Sequence, residues 1–388
     1  KDLGLNIKVI DGEKEAYYGG VAALNLLHDN SFVTIDIGGG STEFCFVKNG
    51  KIEKSISLNI GTVRIKELYF NKDNIEGARK YILDELKKIS DLGIEIPKRV
   101  VGIGGSIRAL SKMVMTNNNY PLDILHGYTY CVKEEISLFR KIVEARNNDD
   151  LKSLGVKKDR FDTIKEGAFI FKTILDELSI QEVVTSGVGV REGAYLTDLL
   201  RNSNHKFPSN FNVSVRSLLD RFQIDEKQSA YLGNNAKKIF EVLKPLHKLD
   251  DKYKALLVIS SKLNSIGSTL NFYKSNDNAF DFILNGLNYD FLHTSRILVA
   301  HTIKFSKKSL PTKADILKYE KLLPSLDVMK WMSFMISLNI AVNQDFSRPK
   351  VSYELEGNVL KVILSNNSFL IESNIDKLES PEDLIIKL

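Results

Sequence analysis

Apolar and polar positions change period several times along the chain, and each change marks an element. Phe32–Ile37 (FVTIDI), 42–50 (TEFCFVKNG) and 51–61 (KIEKSISLNIG) show the period-two alternation of strands, with Asn49-Gly50 as the favoured two-residue hairpin turn between the last two. They predict an antiparallel meander whose first bend is Gly38-Gly39-Gly40. Ahead of it, 6–10 (NIKVI) reads as a short strand and 13–28 has helical spacing. After it come helices over 62–71 and 74–92, a strand over 99–103 that closes in Gly104-Gly105-Ser106, a helix from Ile107, helices over 136–145 and 163–178, and a strand over 182–186 followed by GVGVREGAYL. Strands alternating with helices and ending in glycine predict an α/β architecture.

At Asn202 the pattern changes. The segment 202–212 (NSNHKFPSNFN) reads as a linker, and beyond it helical spacing recurs over 213–222, 228–245, 252–271, 278–287, 289–306 and 325–343. A closing hairpin, VSYELEGNVLKVILS, turns at Gly357-Asn358.

Composition narrows this picture. The 388 residues are 43% hydrophobic and 27% charged, which suits two or three soluble domains. The most apolar run, 331–342, is broken by Ser333, Ser337 and Asn339 and falls short of the roughly 18 to 20 residues of a membrane span, so it predicts a buried helix. Cys45 and Cys131 are too few for a disulfide framework and predict a cytoplasmic protein. A net charge of +5 permits an anionic substrate and gives little support to a nucleic-acid polymer as partner. Strand-like sequence almost at Lys1, with no signal peptide, predicts that the fold begins upstream of this chain.

The chemistry gathers at the glycine turns. Glycine accepts positive φ and lets backbone amides approach an anion with no Cβ in the way. Gly38, Gly39, Gly40, Ser41 and Thr42 offer amides and two hydroxyls, while Gly104, Gly105 and Ser106 offer amides at a helix N-terminus. Two such turns facing one cleft could grip a phosphate. Asp36, in an otherwise apolar strand, is costly to bury unless paired or bound to a metal, and Mg²⁺ held by one or two carboxylates plus substrate phosphates is the usual arrangement. Glu43 is a second candidate for the metal or its water, with a solvent-facing strand position as the plain alternative. Glu13 and Glu15 both sit in a first helical turn, where acids are favoured by the helix dipole, and spacing does not choose between them.

These residues resemble the exopolyphosphatase and guanosine pentaphosphate phosphohydrolase family. The resemblance rests on GEKEA (12–16), IDIGGGSTEF (35–44), ISLNIGTVRIKELYF (56–70), GIGGSIRAL (102–110), HG (126–127) and GVREGAYL (189–196), and covers about the first 200 residues. It implies an actin-like, ribonuclease H-like phosphatase domain of the acetate kinase, sugar kinase, Hsp70 and actin superfamily. Residues 1–30 would close a first lobe and 31–201 form the second. It also implies Glu15 as the base that orients water, Asp36 as an Mg²⁺ or other divalent-cation ligand, Glu43 as a second catalytic or metal-associated carboxylate, and 38–42 and 104–106 as phosphate loops. Arg191 would lie near the cleft, or else cap a helix or join an ion pair; Arg64 has a similar choice between substrate and domain.

Two departures from the family pattern stand out. No D-x-G-S loop of a first lobe precedes Lys1, so that lobe is expected to be incomplete here. In 213–388, where relatives resemble HD metal phosphohydrolases, SKLNSIGSTLNF (261–272) has Asn264 and Ser265 in place of the His and acid, and His293 and His301 are eight apart. The expectation is an HD-like helical domain without metal, used for packing, dimerisation or distal substrate. The implied activity is release of orthophosphate from inorganic polyphosphate or guanosine pentaphosphate; the alternatives are a polyphosphate or guanosine tetraphosphate sensor and a sugar-kinase-like transferase.

Overall fold

The computed structural model describes residues 8–366 and 368–388. They fall into two compact units, Lys1–Phe211 and Asn212–Leu388. Of the expected strand over 6–10, residues 6 and 7 lie outside the described residues, and 8–10 have no regular structure.

In the first unit α1 (Gly12–Leu26) precedes β1 (Phe32–Ile37), β2 (Thr42–Lys48) and β3 (Lys51–Leu58). There follow α2 (Thr62–Leu68), α3 (Ile75–Ser90), β4 (Arg99–Ile103), α4 (Gly104–Asn117), β5 (Thr129–Cys131), α5 (Val132–Glu144), α6 (Asn148–Ser153), α7 (Ile164–Glu177), β6 (Glu182–Thr185) and α8 (Val190–Leu199). Among the described residues these strands form a mixed sheet in the order β3-β2-β1-β4-β6-β5. β1, β4 and β6 run parallel, while β2 and β5 are antiparallel to their neighbours. Sequence alternation decides the two faces. Val33, Ile35, Phe44 and Phe46 point into a core with Ile82 and Leu86 of α3, Leu110 and Val114 of α4 and Phe171 of α7. Phe32, Cys45 and Val47 point the other way, onto Ala23 and Leu27 at the end of α1.

Three expectations change. The GGS turn is the first turn of α4, which starts at Gly104 rather than Ile107. Residues 12–26, expected to close a first lobe, pack on this sheet, because small residues bring α1 against it: a Cβ at Gly20 would fall 2.2 Å from Cys45 Sγ. Part of the expected linker is also fastened to α1, since Asn25 donates to the His205 carbonyl at 2.8 Å and accepts from the Phe207 amide at 3.0 Å.

The second unit contains α9 (Val213–Arg221), α10 (Glu226–His247), α11 (Lys252–Leu263), α12 (Ser275–Gly286), α13 (His293–Lys304), α14 (Lys313–Ile316), α15 (Leu326–Ala341), β7 (Val351–Glu356), β8 (Val359–Leu364), α16 (Phe369–Ile375) and β9 (Ile385–Lys387). β7 and β8 form the expected hairpin, and β9 adds in parallel to β8. The helix expected over 252–271 stops at Leu263 and gives way to a 3₁₀ turn in which a Cβ on Gly267 would lie 1.9 Å from the Ser275 carbonyl oxygen. α15 is buried over most of its length, and no helix among the described residues is long and apolar enough to cross a membrane.

His301 is 2% exposed, and neither ring nitrogen has a hydrogen-bond partner among the described residues. It is enclosed by Phe280, Tyr319 and Phe305, with centroids 5.0, 5.2 and 5.5 Å away. Burial first, then the Lys304 ammonium, pushes its pKa down to about 4. The unfolded chain takes up a proton on an ordinary imidazole near 6.5 that the folded ring refuses until about 4, so stability falls as pH drops through that window. By thermal and urea denaturation, the stability of the wild type relative to His301→Phe should fall by about 2 kcal/mol between pH 7 and pH 5. Equal acid sensitivity in the variant would refute this assignment.

Candidate active site

The parallel strands β1 and β4 end in the two glycine turns, so both turns open at the carboxyl edge of the sheet, where α/β proteins bind ligands. The first turn is fixed by its carbonyls. Gly38 C=O accepts from the Thr62 amide at 3.0 Å and Gly39 C=O from the amides of Val63 and Arg64 at 2.9 and 3.2 Å. Gly40 C=O accepts from Arg64 Nε at 2.9 Å. In a trans peptide the N–H points opposite to the C=O, so the amides of Gly39, Gly40 and Ser41 all face away from α2. Among the described residues they donate to no protein acceptor. Gly61 permits this seat, since a Cβ there would fall 2.2 Å from the Gly39 carbonyl oxygen, and a Cβ on Gly40 would meet nothing within 4 Å. The glycines at 38–40 thus provide access and not positive φ, which occurs in the second turn, at Gly104 (φ 82°).

The hydroxyls behave differently from expectation. Thr42 is fully buried and its hydroxyl donates to the Ile60 carbonyl. The Ser41 hydroxyl lies near the Glu43 carboxylate, whose pKa it lowers. The Thr42 hydroxyl is therefore committed to a protein acceptor, and the turn presents its amides and Ser41.

Asp36 and Glu43 stand directly opposite each other across β1 and β2, on the face covered by α1. Ser57 is opposite Glu43 on β3 and donates to Glu43 Oε1 at 2.9 Å. Gly12, the first residue of α1, lies over Ser57: a Cβ there would be 2.4 Å from Ser57 Cβ. α1 thereby brings Glu15 to the pair, while Glu13 is exposed. At the other end α8 holds α1, because Gly193 approaches the Tyr18 carbonyl so closely that a Cβ would be 1.8 Å away. The Glu192 carboxylate accepts from the Gly189 amide at 2.8 Å, which starts α8. His126 joins the end of α1 to the turn after β6: Nε2 donates to the Leu26 carbonyl at 2.7 Å and Nδ1 accepts from the Gly187 amide at 3.0 Å. The glycines and Glu192 of GVREG and the histidine of HG therefore orient α1 and α8, whereas Arg191 is exposed at the start of α8.

Other guanidiniums lie nearer. Arg108 on α4 donates from Nε to the Ser186 carbonyl at 3.0 Å and acts on Asp36. Arg160 covers Gly105, whose added Cβ would be 2.8 Å from Arg160 Nη1. Neither was singled out in the sequence, and only the glycine run ahead of Arg108 hints at its place. Arg64 is tied to the Gly40 carbonyl through Nε.

The carboxylates are electrostatically strained. Burial pushes Asp36 up to about 6, with Glu15 adding to the rise and Arg108 opposing it. Burial pushes Glu43 up to about 7 despite the hydroxyls of Ser41 and Ser57, with Glu15 and Asp36 reinforcing it. Among the described residues no group of three or more His, Cys, Asp and Glu side chains is placed to hold a metal. Two hard carboxylate oxygens side by side do fit a divalent cation that completes its shell with substrate oxygens and water.

An α/β domain with outward amides and crowded carboxylates at the carboxyl edge of its sheet defines a phosphate-handling protein as a class. A profile of the Ppx/GppA phosphatase family matches residues 1–202, just over half of the 388 residues, and the chain belongs to that family. It is 25% identical over 321 residues to a guanosine-5′-triphosphate,3′-diphosphate pyrophosphatase of Photobacterium profundum, covering 79% of this chain and 61% of that protein. A protein of the same name from Vibrio campbellii is 28% identical over 291 residues, covering 71% and 55%. The chain thus spans about three fifths or less of these relatives. A Ppx/GppA family member of known structure from Aquifex aeolicus is 28% identical, with a TM-score of 0.45 over 52% of this chain and 67% of that one.

Folded carboxyls that hold protons up to pH 6 or 7 are released from that constraint on unfolding, so the stability that Asp36 and Glu43 contribute declines as pH rises from about 4 to about 7. Glu43→Gln removes one of the buried charges. Denaturation at pH 5 and pH 8 should show the alkaline loss reduced by roughly 1 to 3 kcal/mol in this variant; an undiminished loss would show that Glu43 is not its source.

Proposed function

We propose that the protein hydrolyses terminal phosphoanhydride bonds and releases orthophosphate from guanosine pentaphosphate, inorganic polyphosphate or both. The observation that carries this reading is the convergence of Glu15, Asp36 and Glu43 beside the outward amides of 39–41. Those amides and the first-turn amides of α4, Gly104 to Ser106, would hold the terminal phosphate. Asp36, with Glu43, would hold a divalent cation such as Mg²⁺, which supplies neutralisation of phosphate charge when bound. Glu15, at the mouth of the cluster, accepts a hydrogen bond from water and aligns it with the terminal phosphorus for in-line attack; phosphoryl transfer needs positioning more than covalent help from protein. The names of the relatives support the nucleotide substrate. The actin-like class of the first unit and an HD-like, metal-free second unit belong to the same proposal, the latter supported by Asn264 and Ser265 where relatives carry ligands.

In the full-length protein Glu15→Gln should lower kcat for phosphate release by at least 100-fold, with substrate binding nearly unchanged and the melting temperature not lowered. Turnover at the wild-type rate would remove Glu15 from the role. Tight binding with no release by the wild type would favour a sensor. Chelation should abolish release, and Mg²⁺ should raise the apo melting temperature more at pH 8, where the acid pair is ionised, than at pH 5. A melting temperature indifferent to Mg²⁺ at both pH values would exclude Asp36 and Glu43 as its ligands.

A further inference from the structure

We propose that Arg108 is a substrate-contacting residue that binds an inner phosphate of the chain, next to the terminal one. This rests on the phosphate reading above. Across the carboxyl edge of the sheet the sequence of groups is Glu43 on β2, Asp36 on β1, the Gly104 turn after β4, and the Ser186 turn after β6. Adjacent strands are about 4.8 Å apart, so β1 and β6 are separated by roughly 10 Å. Arg108 rises from the second turn of α4 into that interval. Its Nε is spent on the Ser186 carbonyl at 3.0 Å, which fixes the plane of the guanidinium. Nη2 lies beside Gly189, 3.7 Å from where a Cβ would be.

Nη1 and Nη2 have no protein acceptor among the described hydrogen bonds or ion pairs, and the residue is half-buried. A half-buried cation whose charge acts on Asp36 without a hydrogen bond or ion pair to it, oriented by one backbone carbonyl, has two donors to give to an anion. Arg108 also lines a groove along α4 with Lys112, Lys157 and Arg160. A terminal phosphate held at the 38–41 turn and the acid pair therefore leaves the following phosphates to run past Gly104 toward Arg108. A single orthophosphate does not extend that far.

The test is equilibrium binding, by calorimetry in the presence of Mg²⁺, of inorganic tripolyphosphate and of orthophosphate. The full-length protein carries Glu15→Gln to prevent turnover, and is compared with and without Arg108→Gln. Glutamine keeps a donor for the Ser186 carbonyl and removes the charge; Arg108→Lys, which keeps the charge, serves as the second variant and should recover part of the affinity. Tripolyphosphate binding is expected to weaken at least tenfold in Arg108→Gln, and orthophosphate binding to change less than twofold, with unchanged circular dichroism. Equal tripolyphosphate affinity in Arg108→Gln would overturn the role of Arg108 alone. Equal weakening of both anions would overturn its placement at an inner phosphate. Binding of neither anion before Arg108 is changed would overturn the phosphate reading of the cleft and this inference with it.

Discussion

The site depends on the orientation of three peptide planes. Gly38, Gly39 and Gly40 each turn their carbonyl toward the start of α2 or the Arg64 side chain, and planarity then forces the next amide outward. A glycine-rich turn is otherwise expensive to order, because its backbone loses the most freedom on folding. Here the same bonds that order it also satisfy the first amides of α2, which a helix start leaves without intrahelical partners. One set of hydrogen bonds caps α2, immobilises the turn and aims its donors. Side-chain hydroxyls are not needed for the purpose, and that of Thr42 is bonded elsewhere.

Glycine has a second use in the docking of α1. Gly12, Gly20 and Gly193 remove side chains where α1 meets β3, β2 and α8, and His126 ties its far end to the turn after β6. The helix is therefore held at both ends and along its length. This rigidity matters because Glu15 is brought against two other acids, an arrangement that repulsion and burial oppose. Arg108 and the hydroxyls of Ser41 and Ser57 offset part of that cost, yet Asp36 and Glu43 still hold protons well above the usual carboxylate range. Conflict of this kind between fold and charge is typical of places where a ligand supplies what the protein lacks.

Much of this was legible in the sequence. The three meander strands and the Asn49-Gly50 turn follow from alternation, and Asp36 is conspicuous because an acid interrupts an apolar strand. Asp36 and Glu43 face one another because the bend between β1 and β2 is tight. Ser57 was not legible. Simple pairing from the Asn49-Gly50 turn would set Ile56 opposite Glu43, but the register shifts between Phe46 and Val47, so that Ser57 arrives instead. A bulge of one residue swaps an apolar side chain for a hydroxyl and leaves no clear mark in the sequence. Arg108 and Arg160 were missed for a different reason: their meaning comes from β6 and from Gly105, partners 78 and 55 positions away. Spacing did not choose between Glu13 and Glu15, since both fit a first helical turn; the resemblance pointed to Glu15, and packing shelters it while Glu13 is exposed.

The division of labour between backbone and side chains has a consequence for selectivity. Under the proposed function, amides of the glycine turns would recognise a phosphate by shape and charge without distinguishing what it is attached to. The acid pair would likewise respond to charge density, and Ser57 fixes its place on the sheet through Glu43. Discrimination between substrates must then arise away from the reacting bond, from residues whose side chains reach the rest of the molecule. In the first unit the groove along α4 offers such residues, with cations at Arg108, Lys112, Lys157 and Arg160 and apolar surface at Ala109, Met113 and Val156. If the proposed function holds, changes there would alter which phosphoanhydride is accepted while the backbone cradle stays as it is, because no described donor of the 38–41 turn depends on a groove side chain.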